Sequence, residues 1–495
     1  MQHMPIRMRI SFAKLIGSKA GFGFTTILLL AITLRFFDLD AREVWLDEAF
    51  SWNQASMGFA EMLSSVARDV HPPLYQAVLW VNTRIFGESP FALRLPSAIF
   101  SCIAVAMTYF FTCRISTKTA ALLAMTFTTI STFQLWYAQE ARMYSLLAML
   151  TLGSMIMLLC LLKETSKRNL AGYILLSVLL LYTHVYGIFI LLAQQFFYLY
   201  LWISKRRPAH LTLSCWIRVH LLIAISFLPW LWILIRQFTK IQNNFWIQQP
   251  GISDLQQTLN TYQSLPLIIF LGTVVLACAG LVKASVNKDQ ADQFRSQYSG
   301  TALLIFWLCV PILAPFLLSQ IMQPIFVARY TISAAFPWYI LVAIGICSLP
   351  KRAAAPIAIV ILAFSAANLS PYYKSRIAMV QWSEVSAFVE ENSSEGDYLI
   401  FHSDFGSIPF RYHGDTSNFV VINIDSGFDP ALKGISLNEL PMIIKPDADI
   451  WLVTSYTERL RLSTEAIVNL IGKTHNAQEE RKFGGVQLLK LEPAD

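Results

Sequence analysis

Two adjacent carboxylates, Asp47 and Glu48, stand in the stretch VWLDEAFSW among large apolar and aromatic side chains. A carboxylate beside a bound hydroxyl can accept its proton as a general base. Other groups able to do chemistry recur in short motifs: Asp69, His71 and Tyr75 in DVHPPLY, Arg94 in LRLPSA, Glu140 and Arg142 in YAQEARMYS, His184 and Tyr186 in THVYG, and Arg329 and Tyr330 in VARYTI. Acids that accept a proton, with arginines that neutralise an anion, suit transfer of a group off a phosphate. No glycine-rich nucleotide loop is present. The combination therefore points to a donor that arrives already linked to a lipid, with the apolar surroundings of the acids holding its tail. His71 precedes Pro72 and Pro73, which fix it in an extended turn. Bland roles compete with these: Arg94, just before Pro96, can anchor a helix at the membrane interface, Glu140 and Arg142 can form a structural pair, and the tyrosines can belong to an interfacial belt.

The elements that must position these residues are membrane spans. The chain is 55% hydrophobic and only 14% charged, against about 25% charged in soluble globular proteins. Apolar runs of about 20 residues centre on 21–37, 96–113, 119–137, 143–162, 170–185, 186–203, 219–236, 264–282, 301–321, 331–349 and 354–370. These predict about eleven transmembrane helices, the stretch 170–203 being either two short helices or a hairpin broken at THVYG. The first run ends in Arg35 with no small-residue cleavage site after it, which favours an uncleaved span over a signal peptide.

With the N-terminus in the cytoplasm, the inner loops hold 18 of the 38 basic residues, among them Arg7, Arg9, Lys14, Arg114, Lys163, Arg206, Lys288, Arg295 and Lys351. The short outer loops hold only Arg142, Lys240 and Arg329. This positive-inside bias accounts for the net charge of +7, which is thus no sign of nucleic-acid binding. It places all the motifs above on the outer face. The first outer loop, 38–95, carries helical patterns with one apolar side that suit helices lying in the interface. From 371 to 495 no span remains, and helix-like and strand-like pieces alternate (SEVSAFVEEN, DYLIFHS, FVVINI, DIWLVTS, ERLRLSTEAIVNLIGK, GVQLLKLE), predicting a small α/β domain with a mixed sheet. The expected division is 1–370 for the membrane domain and 371–495 for the outer one. Cysteines 102, 113, 160, 215, 278, 309 and 347 fall in or beside apolar runs without CxxC spacing, which indicates buried thiols rather than disulfides or a zinc site.

WLDEAF (45–50), DVHPPLY (69–75), FALRLPSA (91–98) and YAQEARMYSL (137–146) follow one another as in bacterial GT-C glycosyltransferases. The sequence resembles the branch of dolichyl-phosphate-mannose protein mannosyltransferases and the lipid A aminoarabinose transferase, and QWSEVSAFVEEN followed by GDYLIF is similar to the start of that branch's outer domain. The resemblance implies a polyprenyl-phosphate sugar donor, a lipid, polysaccharide or protein acceptor, inversion at the anomeric carbon, and an active site on the periplasmic side of the bacterial inner membrane. It implies Asp47 as catalytic base, Glu48 as its support and Glu140 as a second acid near the acceptor or the base. His71, Tyr75, Arg94, Arg142, His184, Arg329 and Tyr330 are then candidates for contact with donor phosphate or acceptor. Some relatives bind a divalent ion through a DxD cluster. Here DLD (38–40) reads as a cap on the first span, and no cofactor is expected. A lipid or glycan transporter is the competing class, but it calls for ionisable residues in mid-span, and the spans nearly lack them.

Overall fold

The computed structural model describes residues 18–240, 247–286, 300–377, 381–402, 404–424, 435, 439–455 and 464–494. Arg7, Arg9, Lys14, Lys288 and Arg295, used above for orientation, lie outside the described residues, as does the start of ERLRLSTEAIVNLIGK. The helices in chain order are α1 (Lys19–Phe36), α2 (Leu46–Ser56), α3 (Phe59–Arg68), α4 (Leu74–Phe86), α5 (Pro90–Ile115), α6 (Lys118–Ile130), α7 (Thr132–Ala138), α8 (Tyr144–Lys163), α9 (Lys167–Leu181), α10 (Gly187–Ile203) and α11 (Leu213–Lys240). There follow α12 (Ile252–Thr261), α13 (Leu267–Val286), α14 (Gly300–Ile321), a 3-10 helix (Ala328–Ala334), α15 (Ala335–Ser348), α16 (Lys351–Ala367), α17 (Leu369–Ile377) and α18 (Trp382–Asn392). The C-terminal part adds β1 (Tyr398–His402), α19 (Ser407–His413), β2 (Val420–Asn423), α20 (Leu440–Ile443), β3 (Ile450–Ser455), α21 (Thr464–Ile471), β4 (His475–Phe483) and β5 (Val486–Pro493).

Two compact units emerge. The first comprises residues up to Phe37, Ser97–Trp232 and Ile247–Leu369; the second comprises Asp38–Pro96, Ile233–Trp246 and Ser370–Asp495. The first outer loop thus folds with the C-terminal segment.

Seven helices among the described residues are long and apolar enough to cross a bilayer: Lys19–Phe36, Pro90–Ile115, Tyr144–Lys163, Leu213–Gln237, Gly300–Ile321, Ala328–Ser348 and Lys351–Ser375. Of the other four predicted runs, three form shorter helices. The run 119–137 is cut at Ser131, whose extended backbone ends α6 and starts α7. The stretch 170–203 is two helices, α9 and α10, joined through a turn at Tyr182–Tyr186. The fourth, 264–282, falls in α13 (Leu267–Val286), a helix of 20 residues. Ser18, Thr117, Ser131 and Ser166 each accept a backbone N–H of the first turn of the helix that follows, the usual helix-starting contact.

Within the first unit, α15 is almost wholly buried and packs against α13, α6 and α14. Its crossing with α13 depends on Gly345, where a Cβ would lie 1.9 Å from the Leu276 carbonyl oxygen. Small residues at such crossings let helix backbones approach in apolar surroundings.

In the second unit, the predicted mixed sheet has the order β2-β1-β3-β5-β4, with β1 parallel to β2 and β3, and β5 antiparallel to β3 and β4. Period-2 alternation gives it two apolar faces. Tyr398, Ile400, Leu452 and Leu491 face α21, whereas Leu399, Phe401, Trp451 and Val453 face α18 and α19. Strand β4, HNAQEERKF, escaped the sequence reading: it is an edge strand with mostly exposed, charged residues, as edges that resist further pairing commonly are.

Candidate functional site

The candidates divide between the units, and each group has its own geometry. In the second unit, α2 begins at Leu46 with Asp47 and Glu48 in its first turn, where acidic side chains are electrostatically favoured. Successive helix positions differ by about 100° in direction, and the two acids part accordingly. Glu48 is fully buried. Its carboxylate takes a two-pronged contact from Arg94, Nε to Oε1 at 2.8 Å and Nη2 to Oε2 at 2.7 Å, and Arg42 Nη2 approaches Oε2 at 3.1 Å. Asp47 is only partly buried.

Arg94, expected among the phosphate or acceptor contacts, is itself fully buried. Besides Glu48, its N–H groups reach the carbonyls of Leu39, Arg42 and Glu43 at 2.8–3.0 Å. All five donors of a guanidinium are engaged in holding Glu48 and the chain that leads into α2. Asp38 and Asp40 are exposed on either side of buried Leu39, with Asp38 at φ 48° in the turn after α1. His71 is partly buried ahead of α4, and Tyr75, in that helix, is buried.

In the first unit, three turns converge at one end of the bundle. Glu140 and Arg142 are buried between α7 and α8; the Arg142 N–H donates to the Glu140 carbonyl at 2.7 Å, and Ser97 Oγ donates to the Arg142 carbonyl at 3.1 Å. His184 is buried in the α9–α10 turn, and its Nδ1 accepts the Tyr186 N–H at 3.1 Å. The neutral ring therefore carries its proton on Nε2. Tyr330, on the 3-10 helix, has its ring 4.8 Å from that of His184, 5.4 Å from Tyr186 and 6.2 Å, stacked, from Tyr144. The Arg329 guanidinium lies 5.7 Å from the Tyr330 ring centre, and Tyr186 Oη donates to the Ile325 carbonyl at 2.9 Å. Glu140, Arg142, His184, Arg329 and Tyr330 thus share one aromatic-walled, partly cationic cluster.

Sequence reasoning missed the residues that hold this end together. Arg35, at the end of the first span, is fully buried: its Nε donates to Ser101 Oγ at 2.8 Å, and its Nη atoms donate to the Thr128 and Thr129 carbonyls at 3.1 and 3.2 Å. Those are the carbonyls that the break at Ser131 releases. In return Gln139 Nε2 lies 2.9–3.3 Å from the carbonyls of Leu34, Arg35 and Phe37 at the end of α1. Arg42 also went unnamed; its nearness to named motifs was the available signal. Among the described residues no three His, Cys, Asp or Glu side chains are grouped to hold a metal ion.

Residues 70–233 match the family model described as dolichyl-phosphate-mannose-protein mannosyltransferase. No curated protein sequence matches the chain. Among solved structures, ArnT from Cupriavidus metallidurans bound to undecaprenyl phosphate is similar at TM-score 0.63 and 13% identity, over 96% of this chain and 98% of that one. The archaeal oligosaccharyltransferase AglB from Archaeoglobus fulgidus, in complex with an inhibitory peptide and a dolichol-phosphate, is similar at TM-score 0.54 and 10% identity, over 95% of this chain and 74% of that one. By fold and by this family match, the chain is a multi-span membrane protein resembling the GT-C glycosyltransferases, on the side of the protein mannosyltransferases and ArnT.

Proposed function

We propose that this chain is an integral-membrane glycosyltransferase that moves a sugar from a polyprenyl-phosphate donor to an acceptor hydroxyl on the extracytoplasmic face, with inversion and with Asp47 as general base. The observation that carries the reading is the division within the acid pair: Glu48 is locked by Arg94 and Arg42, while Asp47 on the same turn stays partly exposed. In the reaction, the acceptor hydroxyl gives its proton to the Asp47 carboxylate. Its oxygen forms the new bond to the anomeric carbon as the bond from that carbon to the phosphate oxygen breaks, and polyprenyl phosphate leaves with the electron pair. The resemblance makes Arg142 and Arg329 candidates to supply positive charge for that phosphate, and Glu140 a second acid near the acceptor or the base. The likeness to a structure with bound undecaprenyl phosphate supports the donor class. The cytoplasmic N-terminus and extracytoplasmic C-terminal domain rest on the positive-inside pattern, and the inner-membrane and periplasmic location on the resemblance. The acceptor is a lipid, polysaccharide or protein hydroxyl.

The test offers purified protein a panel of undecaprenyl-phosphate-linked sugars, with envelope fractions from a deletion strain as acceptor. Mass spectrometry follows the transferred sugar and the undecaprenyl phosphate released. Transfer that falls by about 10²–10⁴-fold in Asp47→Asn, the usual worth of a general base, is the expected result. An Asp47→Asn enzyme with normal turnover overturns the base assignment. Movement of the lipid across a vesicle bilayer without transfer of its sugar overturns the reading as a transferase.

A further inference from the structure

The α/β domain has its own sheet and its own two cores, yet its most specific polar contacts are with the first outer loop, inside the same compact unit. They gather on the segment that carries the acid pair. At the end of α19, His413 Nε2 donates to the Val44 carbonyl at 3.1 Å, three residues before Asp47. Its neighbour Tyr412 donates to the Glu88 carbonyl at 2.8 Å, and its ring meets Trp52, on α2, edge-on at 5.1 Å. Trp52 Nε1 in turn donates to Glu88 Oε2 at 2.6 Å. Ser383, on α18, donates its N–H and its hydroxyl to the Glu43 carboxylate.

The support behind these contacts is rigid. Ile408 and Phe410 of α19 are fully buried, and Phe410 packs its ring 5.4 Å from that of Phe401 in β1. Directly after His413, a Cβ at Gly414 would lie 2.6 Å from Ser386 Cβ and from Glu390 Oε1, so the end of α19 sits pressed against α18. Asp47 is then bracketed: Arg94 holds the chain through Glu48 on one side, and His413 and Ser383 hold Val44 and Glu43 on the other.

We propose that His413 and Tyr412 are positioning residues for Asp47, so that the α/β domain acts on catalysis by fixing the first turn of α2. The inference rests on the reading of Asp47 as base. A misplacement of about 1 Å in a catalytic group can cost on the order of 10²-fold in rate, so a brace three residues away has enough leverage to matter.

The test uses the full-length protein and the undecaprenyl-phosphate sugar that the wild type turns over fastest. His413→Ala is expected to lower kcat by about 10-fold or more while the donor KM stays unchanged. His413→Gln, which keeps an N–H for the Val44 carbonyl, recovers most of the loss. In the Asp47→Asn background, His413→Ala adds no further loss. By hydrogen exchange, the amides of residues 44–50 exchange faster in His413→Ala while those of β1 and β3 keep their protection. An unchanged kcat, a loss that multiplies with that of Asp47→Asn, or a loss of protection in β1 and β3 overturns the proposal. Full activity of Asp47→Asn alone is a separate result that removes the base assignment. Faster exchange at 44–50 without any change in kcat leaves a brace with no catalytic role, and that too overturns it.

Discussion

Asp47 and Glu48 share one helical turn but have different surroundings, and their substitution should separate stability from activity. Removing one partner of a buried, hydrogen-bonded ion pair costs about 3–5 kcal/mol, because the other charge is left buried alone. Glu48→Gln and Arg94→Leu are therefore expected to lower the unfolding temperature of the detergent-solubilised protein, whereas Asp47→Asn leaves it unchanged and loses turnover. Arg142→Ala and Arg329→Ala should each weaken binding of undecaprenyl phosphate by about ten-fold or more, the scale of a lost charge-assisted hydrogen bond, measured by titration at fixed ionic strength. Excess chelator should leave transfer intact; activity that disappears and returns with a divalent ion would reverse the expectation of metal independence. The acid pair itself was legible from its place in an apolar stretch. Its partner Arg94 lies 46 positions away, and no spacing rule links residues that meet only through the fold. For that reason the sequence offers Arg94 as a candidate contact for donor phosphate or acceptor, whereas the structure pairs it with Glu48.

The helices follow the hydropathy of the sequence closely, and depart from it where hydrogen bonding intervenes. An apolar run such as 119–137 reads as one span, yet Ser131 divides it. Its Oγ accepts the Gln134 N–H, donates to the Tyr262 carbonyl at 2.8 Å and lies 2.9 Å from Tyr339 Oη. A broken helix is tolerated in a bilayer only where the released backbone groups find partners inside the protein, and the Arg35 guanidinium provides them for Thr128 and Thr129. The same tyrosine network continues from Tyr262 Oη to Thr331 Oγ1 at 2.7 Å, which ties the break to the turn bearing Arg329 and Tyr330. At the α13–α15 crossing, Gly345→Ala forces a Cβ onto the Leu276 carbonyl. Overpacking of this kind costs about 1–3 kcal/mol or more, and a lowered thermal midpoint with the Asp47 chemistry otherwise intact is the expected outcome. The glycine's role was not visible in sequence, since GICS reads like any other piece of an apolar helix.

In the molecule as a whole, loop 38–96 and the C-terminal segment from Ser370 form one compact unit although the membrane helices separate them in sequence. Burial holds the His413 imidazole below its ordinary value of 6.5, and Arg94 acts in the same direction, while the Val44 carbonyl and Glu43 oppose them. The unfolded segment therefore takes up a proton that the folded one resists, so the contact is at full strength above about pH 6.5 and weakens as the pH falls below it. Faster exchange of the 44–50 amides at pH 5.5 than expected from intrinsic rates, absent in His413→Gln, would report this. The sequence alone determined the class of molecule: too apolar and too poor in charge for a soluble chain, with long apolar runs and alternating patterns near the C-terminus. These are local properties, written in periodicity and charge. Which acid is locked and which is left accessible, which arginines bind carboxylates or carbonyls, and which loop the α/β domain grips were decided by the tertiary structure, because each depends on contacts between residues tens to hundreds of positions apart that no local pattern encodes.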